Sequence, residues 1–170
     1  MGCSRQAPRD TVNNNASVAV TTTPPLLLTA ADFAKMRRVP ADTISTQIDP
    51  VDAYVTGPAT RLVVRGRVAG PGDLAKAWAF VVGRGTPPVL DFSKDAALFI
   101  ATVEHGTGNW HVVADSVFAT GTMLYVVVHE YSDCTATDIM SRGITVLRVP
   151  VAGWSQVTFV ERPFEERCIR

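Results

Sequence analysis

The strongest constraint on the fold is an apolar stretch at residues 91–131 that glycines divide into three parts. Val, Ile, Phe, Tyr and Trp recur at residues 96–104, 109–117 and 123–131. Runs of these residue types, bounded by Gly and Asn, are typical of an antiparallel meander. The two links contain Gly-Thr-Gly and Thr-Gly-Thr, and glycine adopts the positive φ values that sharp reversals need. The stretch therefore predicts three consecutive β-strands.

Strands and a short helix are also expected outside this stretch. Three further segments are strand-like, with apolar side chains in alternation: residues 61–68, 143–150 and 155–161. A helix is predicted over residues 30–38, starting with a capping box of Thr29 and Asp32. In the Pro- and Asp-rich segment that follows it, we expect only a short extended piece near residues 53–56. The charged tail, residues 162–170, is expected to be solvated.

One longer helix is predicted to cover the sheet. Its apolar residues recur at the spacing of a single helix face: Leu74, Ala77, Trp78 and Val81. We expect this helix to span residues 73–82, with Asp73 as its N-cap and Gly83 at its C-terminal end. An aromatic side chain at helical spacing among alanines is typical of a core anchor, so Trp78 is expected to be buried.

The chain of 170 residues is long enough for one domain with extensions. Residues 1–28 are rich in Asn, Thr, Pro and Ser and lack periodicity, which predicts a disordered tether. Residues 29–170 are expected to form a single domain. The fold predicted for it is mainly β (α+β): a small antiparallel β-sandwich or partly closed sheet with one covering helix.

The composition argues against several classes of function. Lys and Arg together number 16, as do Asp and Glu, and no basic cluster follows a phosphate backbone, so nucleic acid is not an expected partner. No apolar run reaches the roughly 18–20 residues of a membrane span. The chain has no nucleophile elbow, no glycine loop that opens a helix and no paired carboxylates. We therefore expect no enzyme activity, no cofactor and no small-molecule substrate.

The predicted meander holds five side chains of the kinds that bind zinc: Glu104, His105, His111, His129 and Glu130. Zinc needs three or four such ligands to converge, and His111 and His129 could face each other across neighbouring strands. No HExxH motif or closely spaced Cys/His pattern accompanies them, so no metal site is expected.

Three cysteines are present: Cys3, Cys134 and Cys168. In an oxidising compartment, a disulfide between Cys134 and Cys168 would fasten the tail to the sheet. Closing a loop of this length stabilises a fold by roughly 3–4 kcal/mol in the chain-entropy model. Two unrelated free thiols are the alternative.

The loop between the first two predicted strands is the best candidate for a binding surface. Its residues are Gly106, Thr107, Gly108, Asn109 and Trp110. The glycines allow a sharp reversal, and Trp110 at its rim could anchor a partner. Alternatively, Trp110 points into the sandwich, as alternate strand residues must. The loop also loosely resembles the Thr-Gly-Tyr loop of chagasin-type cysteine-protease inhibitors, which implies a protease inhibitor that uses residues 106–110 as a wedge.

Several motifs follow one another in a characteristic order over residues 61–161. A strand and a helix containing Ala-Trp precede Pro-Pro-x-x-Asp-Phe-Ser, and further motifs are Thr107-Gly108-Asn109-Trp110, Cys134 and Leu147-Arg148-Val149-Pro150. This order, with Asp91-Phe92-Ser93 as its first matching position, resembles the C-terminal domain of the protease complex subunit PrcB family. The resemblance implies an accessory subunit, itself without enzyme activity, that binds a protease or another envelope partner. Either the loop at residues 106–110 or an exposed strand edge, which can accept a partner strand, would provide the contact.

The first residues, Met-Gly-Cys-Ser, resemble the start of a mature bacterial lipoprotein, in which the cysteine carries the lipid. This resemblance implies lipidation at Cys3 and a membrane contact through that anchor alone. The expected location is the bacterial cell envelope, periplasmic or anchored to the outer membrane, or the secreted fraction.

Overall fold

The computed structural model describes residues 28–50, 63–105, 109–133 and 141–167, with the side chains of residues 47–50 left out. Several predictions therefore concern residues outside these ranges. They are the tether before residue 28, the extended piece near residues 53–56, Gly106, Thr107, Gly108, and all three cysteines, Cys3, Cys134 and Cys168.

The described part of the chain contains two helices and nine strands. In order they are α1 (Ala30–Phe33), β1 (Arg37–Arg38), β2 (Asp42–Pro50), β3 (Val64–Val68), α2 (Pro71–Val81), β4 (Asp95–Ala101), β5 (Asn109–Thr120), β6 (Met123–Asp133), β7 (Ser141–Pro150), β8 (Gln156–Glu161) and β9 (Glu165–Arg167). One sheet, called the front sheet, has the order β1-β5-β6-β8, and β9 also pairs with β6. The back sheet has the order β2-β7-β4-β3. The predicted mainly β fold is confirmed, and the sheets do not close into a barrel.

The molecule has three layers, which are the front sheet, the back sheet and α2. One core cluster fills the space between the sheets and includes Leu98 and Leu147 of the back sheet and Val126 of the front sheet. A second cluster joins the other face of the back sheet to α2, where Phe99 lies against Trp78 in an edge-to-face contact with ring centroids 6.4 Å apart. Strand β4 is therefore buried on both faces, which explains its continuous apolar sequence.

The predicted three-stranded meander is wrong at its first pair. Strand β4 pairs with β3 and β7 in the back sheet, whereas β5 pairs with β6 in the front sheet. A strand that is apolar on both faces needs cover on both sides, and the centre of the back sheet provides it. The second predicted reversal is confirmed, because Thr120 and Met123 are cross-strand partners and Gly121 between them has φ 53°.

Helix α2 confirms the predicted buried face, which consists of Leu74, Ala77, Trp78 and Val81. It begins earlier than predicted, with Gly70 as N-cap and Pro71 as the first helical residue. Proline suits that position because its fixed φ is helical and its missing N–H would have no partner there. At the other end, Gly83 has φ 74° and donates its N–H to the carbonyl of Trp78, as a C-terminal glycine is expected to do.

Helix α1 is shorter than predicted. The capping box of Thr29 and Asp32 is confirmed, with Thr29 N–H donating to Asp32 Oδ2 at 2.9 Å. The helix nevertheless stops at Phe33, because residues 37–38 pair with β5 as strand β1. The ring of Phe33 then lies 5.0 Å from that of Phe118, so α1 packs on the outer face of the front sheet.

Besides β1, two strands were not predicted. Strand β2 pairs with β7 along almost its whole length, although its sequence is polar. Strand β9 lies in the tail that was predicted to be solvated, and it pairs in parallel with Tyr131–Asp133 of β6. Strand β8 is also parallel to β6, so the front sheet is mixed rather than purely antiparallel. Both of these strands form by pairing with partners that are distant in sequence, so neither segment shows a local alternation of apolar residues.

The side chain of Arg65 joins the two sheets at one side of the sandwich, where β3 and β8 are edge strands. All five of its N–H groups donate hydrogen bonds. Nε and Nη2 bind the carboxylate of Glu161 at 2.7 and 3.2 Å, Nη2 also binds Glu130 at 2.6 Å, and Nη1 binds the carbonyls of Val64 and Ala101 at 2.9 and 2.8 Å. Only 10% of the Arg65 side chain and 24% of the Glu130 side chain are exposed, so solvent screens this pair little, whereas Glu161 is 44% exposed.

We expect Arg65→Met to lower the free energy of unfolding by about 3 kcal/mol, because it leaves Glu130 half-buried without its cation. The matched control is Arg148→Met. The ion pair of Arg148 with Asp42 is exposed and screened by solvent, so its loss should cost much less than the loss of Arg65. Urea denaturation of both variants measures the difference. Equal losses would contradict a special role for Arg65.

On another side of the sandwich, β5 and β7 approach closely although they belong to different sheets. A Cβ on Gly143 would lie 2.6 Å from the backbone nitrogen of Val112 and 2.7 Å from the carbonyl carbon of His111. Thr145 Oγ1 donates a 2.5 Å hydrogen bond to the carbonyl of Val112, which holds the strands at this separation. Only glycine fits between the two backbones.

Gly143→Ala should therefore destabilise the fold by about 2 kcal/mol or more, in the range of overpacked cores. Gly72→Ala is the control, because a Cβ there meets nothing within 4 Å and alanine is the better helix former. Thermal unfolding of the two variants distinguishes them. A Gly143→Ala protein as stable as Gly72→Ala would show that the sheets can separate without cost.

Candidate functional site

Three aromatic rings stack where β5 begins and where β4 and β8 have ended. The ring of Trp110 lies on that of His105, with centroids 3.4 Å apart and planes inclined by 9°. The ring of Phe164 also stacks on Trp110, with centroids 4.7 Å apart and planes inclined by 21°. We call these three residues the aromatic end. It is built by the first residues of β5, the connection after β4 and the tail before β9.

The sequence allowed two positions for Trp110, at the rim of the loop or inside the sandwich. In the structure it lies at the end of the sandwich and has features of both. Trp110 projects from the same side of β5 as the buried Val112, toward the space between the sheets, and it is half-buried. Asn109, the other described residue of the candidate loop, is the first residue of β5 and is half-buried too. The exposed aromatic is instead Phe164, with 44% of its surface accessible.

Sequence reasoning missed Phe164 because it lies in the charged tail. The tail has no strand-like alternation, and the prediction of a solvated segment gave its one aromatic residue no role. The available signal was that aromatic residue itself, since an exposed phenylalanine among charges needs a surface to cover it. In the structure, Trp110 covers one face of its ring.

Two polar atoms next to the stack are buried. Within the described residues, neither Glu104 Oε1 nor His105 Nε2 has a hydrogen-bond partner. Burial lowers the pKa of His105, and the negative charge of Glu130 opposes this effect only in part. Burial therefore favours the neutral imidazole.

The other two histidines lie on the outer face of the front sheet and do not face each other. His111 pairs with Tyr131 across the strands, and His129 pairs with Val113. The ring of His111 stacks on Tyr131 at 4.6 Å, and its Nε2 lies 2.9 Å from Asp133 Oδ2. No group of three or more His, Cys, Asp or Glu side chains in the described ranges is arranged to hold a metal ion.

Two of the motifs that suggested a family, Asp91-Phe92-Ser93 and Leu147-Arg148-Val149-Pro150, lie at the opposite end of β4. Asp91 Oδ1 accepts hydrogen bonds from the N–H of Ser93 at 3.1 Å and from its hydroxyl at 2.6 Å. These bonds, together with the ammonium of Lys94, lower the pKa of Asp91 to about 2. Beside this turn β7 ends, and Val151 N–H donates to the carbonyl of Lys94. The Asp91 and Pro150 motifs therefore meet each other, far along β4 from Trp110.

Comparison of the chain with protein-family models, curated proteins and solved structures found no match. The resemblance to the PrcB family therefore stays a prediction. Neither helix in the described part of the chain is long and apolar enough to cross a membrane.

Proposed function

We propose that this chain is a non-enzymatic binding domain that holds a protein partner at its aromatic end. The observation that carries the proposal is the position of Phe164. Its ring is exposed on one side and stacked on Trp110 on the other. A large ring held in one orientation loses little freedom when a partner covers it, and such aromatic anchors dominate the energy of protein interfaces.

Two carboxylates near the aromatic end already have a structural role. Glu130 and Glu161 are both bound to the guanidinium of Arg65, so their charges serve to join the two sheets. A catalytic acid or base needs a carboxylate that can reach a substrate proton. The proposed role as an accessory or scaffolding subunit, with a protease or another envelope protein as the partner class, rests on the resemblance to the PrcB family.

A protease inhibitor of the wedge type is the less favoured alternative. Such an inhibitor inserts a loop into an active-site cleft, which requires an aromatic side chain that projects freely from the loop. Trp110 is instead held between His105 and Phe164. Pulling Trp110 out of the stack would cost these ring contacts, each of which is worth roughly 0.5–1.5 kcal/mol beyond its buried area.

The partner-binding assignment predicts different results at two equally exposed phenylalanines. Phe164 is 44% exposed, and Phe80 on the outer side of α2 is 41% exposed. A photo-crosslinking phenylalanine analogue at position 164 should form one discrete crosslinked product in the cell envelope, and the analogue at position 80 should form none. Phe164→Ala should weaken the purified complex about thirtyfold, as for an interface hot spot, while Phe80→Ala leaves it unchanged.

Two results would contradict this assignment. Crosslinking at both positions or at neither would show that the aromatic end is not a specific contact. Inhibition of a papain-like protease that disappears in Trp110→Ala would support the wedge inhibitor instead.

The extracytoplasmic location and the lipid anchor at Cys3 belong to the same proposal, as does a disulfide between Cys134 and Cys168. The support for the disulfide is the register of β6 and β9. Asp133 and Arg167 are partners in a parallel pair, and each is followed in sequence by a cysteine. Exchange with the disulfide of a donor protein would form the bond, because the two cysteine thiols give up two electrons and two protons and the donor's disulfide takes them up to become a dithiol.

Thiol labelling tests the disulfide directly. In protein purified from the envelope and denatured without reductant, an alkylating reagent should leave Cys134 and Cys168 unmodified, and it should modify both after reduction. Peptide mass mapping identifies the labelled positions. Labelling of both cysteines before reduction would refute the bond.

A further inference from the structure

A groove of about 580 Å³ lies on the outer face of the front sheet, beside β9. Arginines from three different elements line it. Arg38 comes from β1, Arg162 follows β8, and Arg167 ends β9. We call this surface the arginine groove. Segments that are distant in sequence supply its guanidinium groups, so the fold itself brings the positive charges together.

The floor of the groove consists of polar side chains that are held in place. His129 lines it with a side chain only 9% exposed. Its Nε2 lies 3.3 Å from Glu165 Oε2, and its Nδ1 lies 3.4 Å from Arg167 Nη2. The guanidinium of Arg167 also lies 4.0 Å over the ring of Tyr131, which fixes its plane. Ser116 adds a hydroxyl group to the lining.

The charges of the lining do not cancel. Asp115 is paired with Arg162 at 3.2 Å, and Glu165 is paired with Arg167 at 3.2 Å. Arg38 has no ion-pair partner among the described residues. Three arginines against two carboxylates leave one positive charge in excess, on a chain whose formal net charge is zero. The local potential therefore favours an anionic ligand.

We propose that the arginine groove binds an acidic segment of a protein partner. The groove is open and its walls are mostly polar, unlike the enclosed apolar cavities that hold small ligands. The planar fork of an arginine matches the two oxygens of a carboxylate, and Asp or Glu side chains spaced along a segment can reach more than one arginine.

The position of Phe164 favours a protein over a free anion. Phe164 belongs to the same short segment as Arg162 and Glu165, so the exposed ring and the groove are neighbours along the chain. A partner that covers the ring can place its acidic residues in the groove. In this respect alone the assignment rests on the proposed function, because it takes the ligand to be part of a protein.

Glu165 has a particular role in this arrangement. Its carboxylate holds His129 and Arg167 in the absence of a partner, so it occupies the position that a ligand carboxylate would take. Removal of its charge should therefore strengthen binding. Loss of any nearby negative charge favours an anion, so the specific site is distinguished by a larger effect at Glu165 than at Glu166, which lies outside the groove lining.

The test uses isothermal titration of the full chain with a hexaglutamate peptide, blocked at both ends, at low ionic strength. Arg38→Glu should weaken binding about tenfold, because an attractive contact becomes repulsive. Arg37→Glu carries the same change of charge on the same strand, outside the groove lining, and should change Kd less than about twofold. Glu165→Gln should tighten binding, and Glu166→Gln, its neighbour outside the lining, should do so less.

Several outcomes would overturn the proposal. Hexaglutamate could fail to bind, hexaglutamine could bind equally well, Arg37→Glu and Arg38→Glu could have equal effects, or inorganic phosphate could bind as tightly as the peptide. The last result would indicate a simple anion site. Hexaglutamate has no apolar side chain that could cover Phe164, which lies outside the groove lining. The titration therefore tests the groove alone and crosslinking at position 164 tests the aromatic end, so the two failures can be told apart.

Discussion

The five hydrogen bonds of Arg65 connect the two sheets at the side where both end in edge strands. No backbone ladder can form between β3 and β8, because they belong to different sheets. The side chain of Arg65 connects the sheets instead, since it binds a carboxylate of the front sheet and carbonyls of the back sheet. Arg67 acts in the same way two residues on, donating to the carbonyl of Ser155 and lying over Trp154. Charged side chains that point inward from an edge also discourage pairing with another chain. A partner strand is therefore less suited to this edge than a side-chain contact.

This connection also positions the candidate binding surfaces. Glu161, which Arg65 binds twice, is the last residue of β8, and the tail leaves the sheet directly after it. The N–H of Arg162 then donates to the carbonyl of Val128, so the start of the tail is tied to β6. From that point the chain carries Phe164 to the aromatic end and Arg167 to the groove. The rigid edge and the binding segment are thus consecutive parts of one chain.

Sequence reasoning succeeded where local periodicity decides the structure and failed where distant partners do. The buried face of α2 and the reversal at Gly121 follow from residue spacing and from the conformation that glycine permits. The sheet to which β4 belongs depends on which layers cover its two faces, and no local pattern contains that information. For the same reason β9 and Phe164 were missed, since the tail becomes ordered only against β6 and Trp110. The resemblance marked by Asp91 and Pro150 identified a turn and a strand end that pack together, but these do not form part of the candidate site.

The central claim is that the segment after Glu161 is a partner-binding surface held on a rigid sandwich. Amide hydrogen exchange of the chain, alone and in the complex with its crosslinked partner, tests this claim most directly. The account predicts that partner binding slows exchange in residues 162–167 and in the first residues of β5, while exchange in α2 stays the same. Unchanged exchange in residues 162–167, with protection on α2 instead, would contradict it.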